Sequence, residues 1–117
     1  MFMLKAVLMM ILPFYRTDFP EADMPKTLMY SIYDHGVVTR RGQVTVGGGE
    51  YESIKRILVS ERKGWKFDMH TYAPSRVYSS PSMSINCLSR GLVVNYKNGD
   101  DWVQISKMGL HNPCTSK

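Results

Sequence analysis

Between Gly64 and Lys107 the chain alternates apolar and polar residues, and tight turns interrupt the alternation at short intervals. Successive side chains of a strand point to opposite faces. This stretch therefore reads as four or five short antiparallel strands against which the rest of the chain must pack. Trp65 to Tyr72 is the first of them. Its spacing puts Trp65, Phe67 and Met69 on a buried face, and Lys66, Asp68, His70 and Tyr72 on the other. Pro74 and Pro81 bracket a short strand, Arg76 to Ser79, and those prolines suggest an edge position.

Two hairpins after Pro81 can be tested for register. Asn98-Gly99 is a strong hairpin signal, because both residues tolerate positive φ. A two-residue loop there opposes Val94 to Val103 and Leu92 to Ile105, and a four-residue loop opposes Val94 to Ile105 and Tyr96 to Val103. A three-residue loop would mix the faces, since a one-residue slip turns every side chain over. At Ser89-Arg90 a two-residue loop opposes Ile85 to Val94, Met83 to Tyr96 and Cys87 to Leu92. One face thus collects Met83, Ile85, Cys87, Leu92, Val94, Tyr96, Val103 and Ile105, and such a face requires a cover. The opposite face carries Ser84, Asn86, Asn95, Gln104 and Ser106, with Val93 and Trp102 as apolar exceptions.

The cover is expected from Glu50 to Lys63, where Tyr51, Ile54, Ile57 and Leu58 recur at helical spacing. Glu50 and Glu52 stand in its first turn and Arg62 and Lys63 in its last, as the helix dipole favours, and Gly64 suits the position past the end. The β-branched Ile54, Ile57 and Val59 leave a strand as the competing reading. Upstream, Thr27 to Tyr33 and Val37 to Arg40 form a hairpin about the Asp34-His35-Gly36 turn, with Gln43 to Val46 extending the second strand past Gly42. The fold class is α+β: an antiparallel sheet of six to seven strands with one helix packed on one face.

The first 22 residues differ in kind. Lys5 precedes the seven-residue apolar run Ala6 to Leu12, the minimum form of a secretory signal and too short to span a bilayer as a helix. Residues 1–22 are therefore read as a signal-peptide-like segment and residues 23–117 as a single β-rich domain, exported to a periplasm or the exterior. The competing reading is an N-terminal helix or strand of the mature fold. Thr17 to Lys26, with Pro20, Pro25 and several carboxylates, reads as a linker. The two cysteines, Cys87 on a core-facing strand and Cys114 in the tail, are expected to form a disulfide in an exported protein. The alternative is a buried thiol at 87 and an exposed one at 114.

The residues with chemical potential are dispersed. His35, His70 and His111 lack partners at metal-ligand spacing, so neither a metal nor a cofactor is expected, although His70 does share a strand face with Asp68. Gly47-Gly48-Gly49 precedes a helix but lacks the Lys-Ser/Thr of a phosphate loop, and Glu50 and Glu52 oppose an anion there. No serine lies in a nucleophile elbow. The net charge of +5 favours an acidic partner, yet the basic residues are scattered rather than striped, which argues against nucleic acid. These observations describe a non-enzymatic binding protein of the inhibitor or immunity kind. Its partner-binding residues are Trp102, Tyr72, His70, Val93 and Asn95, and its partner is another protein. The alternative is a small basic nuclease or nucleic-acid binder, which would need a histidine, a carboxylate and an arginine in one cleft.

Overall fold

A computed structural model describes residues 16–114. The Ala6–Leu12 run lies outside them. One antiparallel sheet of eight strands dominates: β1 (Arg16–Thr17), β2 (Thr27–Asp34), β3 (Val37–Thr45), β4 (Trp65–Phe67), β5 (Arg76–Ser79), β6 (Met83–Cys87), β7 (Gly91–Asn98) and β8 (Asp101–Met108). Their order across the sheet is β1-β4-β8-β7-β6-β5-β2-β3. The single α-helix among the described residues, α1 (Gly49–Ser60), packs on one face.

The hairpin arithmetic holds. Strands β6 and β7 pair Ile85 with Val94, Met83 with Tyr96 and Cys87 with Leu92, closed by the Leu88 N–H to Gly91 carbonyl bond at 2.9 Å. Strands β7 and β8 take the longer of the two allowed registers, Val94 with Ile105 and Tyr96 with Val103. The turn is centred one residue later than Asn98-Gly99, on Gly99-Asp100, and Gly99 supplies a φ of +68° that a side chain would resist. The β2–β3 hairpin turns at His35-Gly36, both with positive φ, the geometry that matches the twist of the flanking strands.

The inner face is the expected one. Met83, Ile85, Cys87, Leu92, Val94 and Ile105 are buried beneath Tyr51, Ile54 and Leu58 of the helix. Cys87 and Cys114 are disulfide-bonded, Cα atoms 6.0 Å apart, so the tail is fastened to the same core.

Several expectations are corrected. The sheet has eight strands because Arg16 and Thr17, within the residues 1–22 read as signal-peptide-like, pair with Lys66 and Trp65. Phe19 follows them into the core, its ring centroid 6.0 Å from that of Trp65 and its N–H bonded to the Arg62 carbonyl at 2.7 Å. The helix ends at Ser60, not Lys63. The carbonyls just past that end are claimed by side-chain donors: Trp65 Nε1 reaches the Glu61 carbonyl at 2.7 Å, and Lys107 Nζ reaches those of Glu61 and Lys63. Strand β5 is interior, between β6 and β2, because Pro74 and Pro81 lie just outside it and remove no ladder hydrogen bond. Strand β4 stops at Phe67 rather than Tyr72, and Met69 is 77% exposed instead of buried.

Candidate functional site

The early end of β4 builds the site. Asp68 still donates its N–H to the Gln104 carbonyl of β8 at 3.0 Å. Its side chain then turns back: Oδ1 accepts the His70 N–H at 2.8 Å, a local bond that competes with the ladder and turns the chain out of the sheet. The segment Met69–Pro74 leaves the strand and crosses the outer face, the one opposite the helix. Gln104 pins it there by donating Nε2–H to the His70 carbonyl at 2.7 Å.

Asp68 is the organising acceptor. Besides the His70 N–H, Oδ1 lies 2.8 Å from His70 Nδ1, while Oδ2 accepts a short bond from the Tyr72 hydroxyl and one from Ser106 Oγ at 2.7 Å. The Asp68 side chain is only 9% exposed. Burial by itself would raise its pKa. The bonds from Tyr72, the His70 backbone, Ser106 and the His70 ring outweigh burial and hold it down to about 2. Tyr72 moves the other way, to about 12, through burial and its bond to the Asp68 carboxylate. With Asp68 ionised, Nδ1 of His70 must carry the proton it shares with the carboxylate, which leaves Nε2 facing solvent.

A depression of about 250 Å³ lies under the crossing segment, lined by Met69, His70, Tyr72, Asn86, Val93, Asn95 and Gln104 among others. Four of the five residues singled out from the sequence thus converge on it: His70, Tyr72, Val93 and Asn95. Their contributions differ. Val93 is 2% exposed and forms the floor. His70 stands almost fully in solvent, while Tyr72 and Asn95 are half-buried. Trp102 does not line the depression. It flanks it on β8, two residues from Gln104 on the same outer face and opposite Lys97, at 52% exposure. Asp68, Ser106 and Gln104, which order the site, were visible in the sequence only as polar residues of that face. The signal that could have found Asp68 is its i, i+2 relation to His70, the spacing of an aspartate that bonds the backbone two residues on.

The outer face offers two exposed apolar side chains, Met69 and Trp102, together with amide, imidazole and phenol groups on a rigid sheet. His70 does meet a carboxylate, but no arginine or lysine lines that depression. His35 meets Asp34 at 2.7 Å on an exposed turn, and His111 neighbours Asn112. No group of three His, Cys, Asp or Glu that could hold a metal occurs among the described residues. A second depression, of about 370 Å³, opens between α1 and strands β2 and β5. Its Arg76 is already engaged by Glu50 at 3.3 Å, the Tyr78 hydroxyl at 3.3 Å and the Cys114 carbonyl at 3.1 Å, so its charge serves the fold. The outer-face site, whose polar atoms still face solvent, is the better candidate.

Comparison with known protein families, with curated proteins and with solved structures found no match to this chain.

Proposed function

We propose that this protein is an exported binding protein of the inhibitor or immunity kind, which blocks a partner protein with the outer face of its sheet. The observation that carries the reading is the half-exposed Trp102 on the outer face, two residues along β8 from the Gln104 that pins the His70–Tyr72 segment. Tryptophan is costly to leave in water and is enriched among residues that dominate interface energies. A rigid platform suits this role, because side chains ordered before binding lose less entropy on association. The nuclease reading draws on one specific observation, the His70–Asp68 pair. It lacks a cation in the same depression to stabilise charge developing on a phosphodiester, so binding is favoured.

The test is Trp102→Ala. A partner retained from native extract by the immobilised protein is purified and its affinity measured directly. The variant is expected to bind it weaker by about 2 kcal/mol or more, with the melting temperature nearly unchanged. A melting point lowered by many degrees would place Trp102 in the core, and unchanged affinity would place the interface elsewhere. Loss of phosphodiesterase activity in His70→Ala, with binding intact, would favour the nuclease.

Export is supported by the Lys5 and Ala6–Leu12 pattern and by the disulfide, which persists in oxidising compartments. Cleavage after Ala22 would remove Phe19 from the core and β1 from the sheet. On this reading the targeting segment therefore ends before Arg16 instead of at Ala22. The intact mass of protein from its native compartment decides this: a full-length chain recovered from cytoplasm would sink the export reading.

A further inference from the structure

Strand β3 closes the sheet on one side, and among the described residues only β2 pairs with it. Its nine residues contain no proline and no carboxylate. A strand of that length with one unpaired edge is a template for a further strand. The register with β2 shifts between Ile32 and Tyr33, so Thr39 is the extra residue of a bulge, and Arg40–Thr45 beyond it is regular. Arg40 opposes Ile32 on the helix side of the sheet, and Arg41 opposes Ser31 on the outer side. Both are exposed. Glu50, which lines the same depression as Arg40, is already bonded to Arg76. Gly42 keeps the backbone low here, since a Cβ at that position would collide with the Tyr30 ring.

We propose that the free edge of β3 takes up an extended acidic segment of a partner protein by strand addition, with two adjacent carboxylates on that segment pairing with Arg40 and Arg41. Strand addition draws affinity from main-chain hydrogen bonds and specificity from alternate side chains. Adjacent residues of an added strand point to opposite faces, as Arg40 and Arg41 do, so a consecutive acidic pair meets both guanidiniums at once. Charge decides against a second copy of this chain: β3 against β3 would bring four guanidiniums into one ladder, and like charges across strands are destabilising. The inference does not rest on the outer-face reading, because neither Trp102 nor the segment over the depression belongs to this edge.

The probe is a capped, fluorescently labelled octapeptide, Thr-Val-Thr-Glu-Glu-Thr-Val-Thr, titrated into the full chain. Saturable binding is expected, weakened about tenfold or more in Arg40→Ser/Arg41→Ser. It should be abolished when alternate peptide nitrogens on the ladder side are methylated. Amide exchange should slow along Arg40–Thr45, and Trp102→Ala should bind the peptide as the wild type does. No binding at millimolar peptide would overturn the proposal. So would equal binding of a control peptide with Lys-Lys in place of Glu-Glu, or of the methylated one, since charge or strand pairing would then play no part. A concentration-dependent dimer that the peptide cannot dissociate would assign the edge to a second copy instead.

Discussion

Cys87→Ala/Cys114→Ala is expected to lower the stability of this protein by about 3 kcal/mol, through loss of a cross-link that closes a loop of 27 residues. For a domain of this size that corresponds to a fall in melting temperature of roughly 15 °C. Alanine is the right replacement, because Cys87 is 1% exposed and a serine there would add the separate cost of a buried hydroxyl. The loss should be felt first at the tail. Asn112 is held by its N–H to the Ser89 carbonyl at 2.7 Å, and the Cys114 carbonyl accepts from Arg76. Without the disulfide, amide exchange at Asn112 should quicken, while the β7–β8 ladder keeps its protection until global unfolding. Reductant should lower the melting temperature of the wild type by a similar amount and leave the double variant unmoved. Two reactive thiols in freshly isolated wild-type protein would refute the cross-link.

Asp68→Ala is the second large effect, expected to cost about 2–3 kcal/mol. It strips the acceptor from the Tyr72 hydroxyl, the Ser106 hydroxyl and both nitrogen donors of His70. Removing one partner costs more than the bonds are worth, since the donors left behind have lost their acceptor. The damage should be local: the segment after Phe67 becomes a site of proteolytic nicking while the hairpins β6–β7 and β7–β8 stay folded. The same carboxylate sets an acid limb of stability. Its folded pKa, about 2, lies below the unfolded value near 4, so the unfolded chain binds the proton more readily. The contribution is therefore complete above about pH 4 and disappears as the pH falls through about 2. It amounts to at most about 2–3 kcal/mol, less what solvent screening removes at this surface. Chemical denaturation of the wild type should show this loss between pH 4 and pH 2, and Asp68→Ala should show a flatter profile there. Parallel profiles would mean that other carboxylates carry the acid limb.

The local features of the fold were legible in the sequence, because local physics specifies them. The period of two in Met83–Cys87 and Leu92–Tyr96, with turn residues at fixed offsets, admits few registers that keep one face apolar, and the structure adopts one of them at each hairpin. The helix was legible from Tyr51, Ile54 and Leu58, and the disulfide from there being two cysteines, one facing the core and one in the tail. Trp102 on the outer face followed from parity alone.

What the sequence by itself could not determine depends on partners distant in the chain. The interior place of β5 comes from its pairing with β2, some 45 residues upstream, and no local pattern encodes that choice. The alternation through Met69 predicted a longer β4, but Ser106 and Gln104 of β8 help to hold Asp68 and His70 in a turn, and that turn outweighs the period of two. The same segment buries Val93, which parity had placed in the open. Phe19 lay among prolines and carboxylates that read as a linker, and only the space beside Trp65 made it core. Parity assigns a side chain to a face, whereas the elements that fold back over that face decide whether the side chain meets water.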